Sequence, residues 1–239
     1  TQLRFHMQPL PSQFLHQSID ISEDLLAEHF LTDYARTRSP LRNPHLENPV
    51  SDAMKASSSA SAVLIAFVKE NDELKVLVTK RSANIRFAGH ICFPGGKVDD
   101  SDHDPVATAL REAHEEIDLN PNSVTVLGSM GDYFTQTGYR ITPVVGIVQQ
   151  PFSLTTDLTA CESEVEAIYT LPASLLFTSS TYRLHQFNVK PQQTRGYYSL
   201  SHDARDLSIR VSGPTVSIMM GLYEEVLKSR GLLPADEQK

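Results

Sequence analysis

The sequence predicts a mixed α/β domain, α+β in kind, built on a mixed β-sheet. Three observations predict it. Residues 62–68 (AVLIAFV) form a continuous apolar run of strand length, followed by a second, partly alternating run, LKVLVTKRS. Val106, Leu110, Ala113 and Ile117 recur at helical spacing behind Asp104-Pro105. Further strand-like runs at 124–128 and 141–148 (ITPVVGIV) follow without regular strand–helix alternation.

Taken in order, residues 22–35 (SEDLLAEHFLTDYA) read as one amphipathic helix. Apolar residues recur at Leu25, Leu26, Phe30 and Leu31, and Asp20 or Ser22 can cap it. The stretch RTRSPLRNPHLENPVSDAMKASSSAS is rich in proline and serine and reads as a linker or wrapped arm. The run at 62–68 is a buried strand, and the turn KENDE joins it to the next as a hairpin. Residues 163–169 (SEVEAIY) suggest a strand, and TLPASLLF a short helix. Residues 181–210 read as short strands and loops. Residues 214–228 form a helix with Pro214 in its first turn and Ile218, Leu222 and Leu227 inward. The expected organisation is a helix and arm over 1–59, one domain over 60–232 and a tail over 233–239.

With 239 residues and 40% hydrophobic content, the chain can bury a sizeable core. No apolar run approaches the ~18 residues of a membrane span, so no membrane partner is expected. Two cysteines, Cys92 and Cys161, cannot make a disulfide framework and lack zinc spacing, which suits a reducing compartment. A formal net charge of -8 argues against broad nucleic-acid binding, yet a local cation cluster or a metal still permits a small anionic ligand. TQLRFHMQPLPSQFLHQ is a poor secretory signal, and LLPADEQK has no peroxisomal tripeptide, so a cytoplasmic location is expected.

The helix behind Asp104-Pro105 poses a chemical question. At about 100° per residue, Glu112 and Glu116 lie about 40° apart, with Glu115 about 60° to the other side of Glu112. All three are expected to point away from the apolar stripe. Like charges at this spacing cost about 0.2–0.5 kcal/mol per pair, and the C-terminal end of a helix is unfavourable for anions. A hard divalent cation with oxygen ligands removes both costs; a solvated acidic face helped by Arg111 is the plainer alternative.

The neighbouring residues carry a resemblance. GGKVDDSDHDPVATALREAHEEIDL resembles a Nudix box, with Arg111-Glu112-Ala113-His114-Glu115-Glu116 as its core and Gly95-Gly96 as its glycine turn. Upstream, Thr79, Lys80, Arg81, Ser82, Arg86, Gly89 and Phe93 to Gly96, with Asp99 and Asp102, are similar to a motif of the coenzyme A diphosphatase branch. The similarity is clearest over 60–177. Three positions depart from the pattern. Asp102 stands where the box has glutamate, one residue further from Arg111. Asp118 replaces the glycine after the helix, where a helix end often needs a left-handed residue that Asp tolerates moderately. Ser212-Gly213-Pro214-Thr215 stands where that branch often has Trp-Gly-x-Thr, and the chain has no tryptophan.

The resemblance implies a Nudix α/β/α sandwich and hydrolysis of a diphosphate linkage, with coenzyme A or an acyl derivative as the small-molecule substrate. Another nucleoside diphosphate derivative (ADP-ribose, NADH, a dNTP) is the alternative, and a Nudix-fold sensor without turnover the alternative of another class. It implies one to three Mg²⁺ or Mn²⁺ ions held by Glu112, Glu115 and Glu116, with the Gly96 carbonyl as a further ligand and Arg111 orienting the glutamates. Lys80, Arg81 and Arg86 are the expected phosphate binders. Glu164 and Glu166 are candidates for the general base, beside Glu162, Glu115 and Glu116. Phe87 or Tyr139 is a candidate for stacking on adenine. The N-terminal arm is expected to cover the core or a partner subunit, which leaves a homodimer open.

Overall fold

The computed structural model describes residues 17–41, 50–190, 193–204 and 207–233. Most of the N-terminal stretch weighed as a signal, the centre of the linker and the end of the tail lie outside these residues.

The helix expected over 22–35 is two helices, α1 (Glu23–Leu31) and α2 (Asp33–Thr37). Ser22 Oγ caps α1 by accepting from Leu25 N. Thr32 makes the break: its hydroxyl donates to the His29 carbonyl at 2.6 Å and accepts from Ala35 N, ending one helix and capping the next. Inside the serine-rich linker a further short helix appears, α3 (Asp52–Ala56), capped by Ser51.

Next come β1 (Ser59–Glu70) and β2 (Glu73–Arg81), which form the expected hairpin. Its two turn residues, Asn71 and Asp72, both have positive φ (51° and 62°), the twist that a two-residue hairpin needs. Then follow β3 (Ile91–Cys92), β4 (Gly95–Lys97), α4 (Pro105–Ile117), β5 (Val124–Ser129), β6 (Tyr133–Phe134), β7 (Tyr139–Val148), α5 (Leu154–Asp157), β8 (Val165–Pro172) and α6 (Ala173–Leu176). The main sheet runs β3-β2-β1-β7-β5, with β4 on β1, β6 on β7 and β8 on β2. It is mixed: β1 and β7 are parallel, and the other pairs are antiparallel.

The apolar run of β1 is buried on both faces, which is why it does not alternate. Ala62, Leu64, Ala66 and Val68 join Ala109, Ala113 and Ile117 of α4 on one side. Ile65 and Phe67 join Leu26 and Phe30 of α1, and Met219, Leu222, Tyr223 and Val226 of α7 (Gly213–Ser229), on the other. The result is the α/β/α sandwich. The N-terminal segment is tied into it by backbone bonds from Ile19 N to Phe177 O and from Leu41 N to Asp132 O, both 2.9 Å.

Residues 181–210 are not short strands and loops. They form a second, antiparallel sheet of long strands, β9 (Tyr182–Lys190), β10 (Gln193–Ala204) and β11 (Leu207–Ser212). Tyr198, Leu200, Ile209 and Val211 are buried in the α7 core, while Ser208 and Arg210, which alternate with the last two on β11, are exposed. That half-polar alternation hides the strands from a reading of bulk polarity.

Asp104 caps α4 by accepting from Ala107 N at 2.8 Å. Asp118 closes it at φ 58°, ψ 24°, a left-handed conformation that costs a residue with a Cβ about 1 kcal/mol relative to glycine. Asp118→Gly should therefore stabilise the protein by about 0.5–1 kcal/mol, seen as a Tm rise of about 2 °C. A fall in Tm on scanning calorimetry would show that the exposed His114–Asp118 pair at 3.5 Å matters more.

Candidate active site

β4 is where the sheet meets the acidic helix. It is nearly all glycine because two surfaces press on it. A Cβ on Gly95 would collide with the Ala62 carbonyl and the Val63 backbone of β1. A Cβ on Gly96 would collide with the carboxylate of Glu112. The two glycines therefore leave a trough on the α4 side, and the helix lays its carboxylates in it.

This corrects the expectation that all three glutamates point away from the buried face. Glu116 is buried (6% exposed), and its Oε2 accepts from Gly95 N at 3.2 Å. Glu112 is half-buried against Gly96. The buried arc of α4 also includes Thr108, rotated from the apolar stripe toward Glu112 and Glu116, while Val106 and Leu110 are only partly covered. Glu115 alone behaves as expected: it is mostly exposed and tied to Arg111.

Arg111 uses all five of its N–H groups. Nε and Nη2 hold both oxygens of Asp102 at 3.0 and 2.9 Å, and Nη2 also reaches the Lys97 carbonyl at 3.0 Å. Nη1 bridges Glu112 and Glu115 at 3.0 and 3.1 Å. One guanidinium thus links the loop, β4 and two glutamates, a geometry that suits a planar fork and not an ammonium. Asp102 also accepts from Asp99 N and the Thr108 hydroxyl, both at 2.9 Å. The shorter acid at this position still reaches the arginine, and that pairing holds its carboxyl well below the usual range.

The two trough carboxylates are pushed the other way. Burial raises Glu112, against the opposing pull of Arg111. Burial raises Glu116 further, to about 7; the Gly95 N–H and Arg81 oppose this, while Glu112 and Glu164 add to it. Neighbouring acids that resist ionisation together are a poor choice for stability and a good one for chemistry.

The expected cation cluster separates. Lys80 pairs with Glu166 at 2.6 Å, so one expected phosphate binder and one candidate base neutralise each other. Arg81 donates from Nε to the Arg86 carbonyl at 3.1 Å, and its charge acts on Glu116. The Arg86 guanidinium lies over the Phe87 ring. Glu164 is exposed and acts electrostatically on both Glu112 and Glu116. Cys92 was not anticipated here: its thiol hydrogen-bonds with Thr215 at the start of α7, and burial pushes its pKa up.

Among the described residues, no three His, Cys, Asp or Glu side chains converge as a ready-made metal cage. A magnesium-like ion does not need one, since it is held by one or two carboxylates plus water and phosphate oxygens. The all-oxygen, desolvated pair Glu112 and Glu116 fits that kind of ion.

The NUDIX domain model matches residues 59–190, more than half of the chain. The chain belongs to the Nudix family. Among Nudix relatives, the hydrolase NudL of Escherichia coli O139:H28 is 38% identical over 141 residues, covering 59% of this chain and 68% of that protein. NudL of Enterobacter sp. strain 638 is 33% identical over 177 residues, covering 74% of this chain and 82% of that one. Against NudL of Escherichia coli O7:K1 the match, 43% identical, spans only 56% of the relative's length. A solved MutT/nudix family protein from Enterococcus faecalis superposes over 88% of this chain and 80% of its own, with 16% identity and a TM-score of 0.42.

The two Nudix-box glycines should respond differently to substitution. Gly95→Ala meets backbone and should destabilise the fold by about 2 kcal/mol or more. Gly96→Ala meets only the end of a flexible side chain, so it should fold, with the Glu112 carboxylate displaced and activity reduced about 10–100-fold. Urea melts and initial rates on the same two proteins separate these outcomes; equal stability losses would refute the distinction.

Proposed function

We propose that this protein hydrolyses a diphosphate linkage with Mg²⁺ or Mn²⁺, and that its substrate is coenzyme A or an acyl derivative. Cleavage yields 3′,5′-ADP and (acyl-)4′-phosphopantetheine. The observation that carries the reading is the pair Glu112 and Glu116, drawn out of water onto Gly95-Gly96 and fixed from one side by Arg111.

The diphosphate resists water because its anionic oxygens repel a nucleophile. A divalent cation supplies charge neutralisation and lowers the pKa of water at the site. Glu112 and Glu116 would hold it, with the Gly96 carbonyl and Glu115 as further candidate ligands. Arg111 positions Glu112 and Glu115. Of Glu164 and Glu166, Glu164 is the better general base: it lies in the turn just before β8, exposed beside the trough, whereas Glu166 is engaged by Lys80. Arg81, on the Glu116 side, is the phosphate binder best supported of the three cations.

The test is a substrate panel of coenzyme A, ADP-ribose, NADH and dNTPs, each with Mg²⁺ and with Mn²⁺. Metal-dependent release of 3′,5′-ADP from coenzyme A in preference to the others supports the reading. Turnover of another member keeps the chemistry and removes the substrate. Binding without turnover of any member identifies a sensor.

A further inference from the structure

The loop between β2 and β3 is hung on Arg81. Gly89 N donates to the Arg81 carbonyl at 2.9 Å, Arg81 N donates to the His90 carbonyl at 3.0 Å, and the Arg81 side chain donates to the Arg86 carbonyl at 3.1 Å. At the tip of this braced loop stands Phe87, at φ 61° and 45% exposed. Stability accounts for neither feature. A bulky residue in the left-handed region is strained, and an exposed ring gains little from burial. Sparsely populated backbone held by its surroundings marks sites where a side chain must be aimed.

The surroundings of the ring say what it is aimed at. The Arg86 guanidinium lies 4.7 Å from its centroid, a cation–π contact. His90 is 5.8 Å away and tilted by 47°, so it is not stacked on the ring. The loop is held by Arg81, whose charge reaches the trough carboxylate Glu116. An open aromatic face backed by a cation, beside a diphosphate site, suits a flat, electron-rich heterocycle.

We infer that Phe87 is a specificity-determining residue that stacks on the purine base of the substrate, with Arg86 supporting the ring from its other face. This rests on the reading that the substrate is an adenine nucleotide derivative. It assigns base recognition to one side chain of the β2–β3 loop and separates it from the phosphate chemistry in the trough.

The chain contains no tryptophan, so Phe87→Trp creates a single fluorescent reporter at the proposed contact. Titration with 3′,5′-ADP should change its emission saturably, and inorganic pyrophosphate, which has no base, should not. Emission that ignores the nucleotide, or that responds equally to pyrophosphate, overturns the proposal. In turnover, Phe87→Ala should raise KM about tenfold with kcat within about twofold, and Phe87→Tyr should restore KM. A fall in kcat at unchanged KM would make the residue structural and overturn it as well. If coenzyme A is not turned over but 3′,5′-ADP still moves the Trp signal, the base contact stands and the substrate assignment falls.

Discussion

Glu116→Gln should reduce metal-dependent hydrolysis by at least about 10³-fold while making the metal-free protein more stable at pH 8. The stabilisation follows from the raised pKa. In the unfolded chain this carboxyl titrates near its ordinary 4.5; folded, burial moves it to about 7. Between those values the unfolded state has lost its proton and the native state keeps it. Stability therefore falls as pH rises from about 4.5 to 7, and the loss is complete above 7. The shift corresponds to about 3 kcal/mol at the upper end. The amide of the substituted side chain would keep an acceptor for the Gly95 N–H and remove the charge. In EDTA, the variant should match wild type near pH 4.5 and exceed it at pH 8. Adding Mg²⁺ should raise the Tm of wild type and leave the variant unchanged. Identical pH profiles for the two proteins would mean that Glu116 is not the strained group.

Arg111→Lys should fail to rescue. The lysine keeps the charge but cannot serve two Asp102 oxygens, the Lys97 carbonyl and two glutamates at once. Asp102, whose side chain is only 4% exposed, is left short of donors. The expected cost is about 1–3 kcal/mol in stability and about 10–100-fold in kcat/KM. An ordinary surface ion pair contributes about 0–1 kcal/mol. Chemical denaturation and steady-state rates for the lysine variant indistinguishable from wild type would reduce Arg111 to such a pair.

Much of this site was legible in the sequence, and the reasons for what was missed are physical. Asp104, Pro105 and Asp118 marked both ends of α4, because caps act through neighbouring residues. The side on which the glutamates lie was not legible. Apolar periodicity assumes that carboxylates seek water, and here a glycine pair on another strand created a trough for them. The division of the cations was hidden for a similar reason. Lys80 and Arg81 are adjacent in sequence, and a register shift where β2 meets β8 gives Lys80 to Glu166 while the charge of Arg81 acts on Glu116. The break at Thr32 and the cap at Ser51 had local signals that were outweighed by periodicity and by the proline-serine composition. The second sheet was obscured by its polar open face, although Tyr182, Leu184, Tyr198, Leu200, Ile209 and Val211 alternate as buried or partly buried positions.

The central claim is that Glu112 and Glu116, in the glycine trough, form the divalent-cation site. Titration with Mn²⁺ followed by electron paramagnetic resonance tests it directly, comparing wild type with the Glu112→Gln/Glu116→Gln double variant. Saturable Mn²⁺ binding in wild type and its loss in a folded double variant is the predicted result. Equal binding in both proteins would contradict the account.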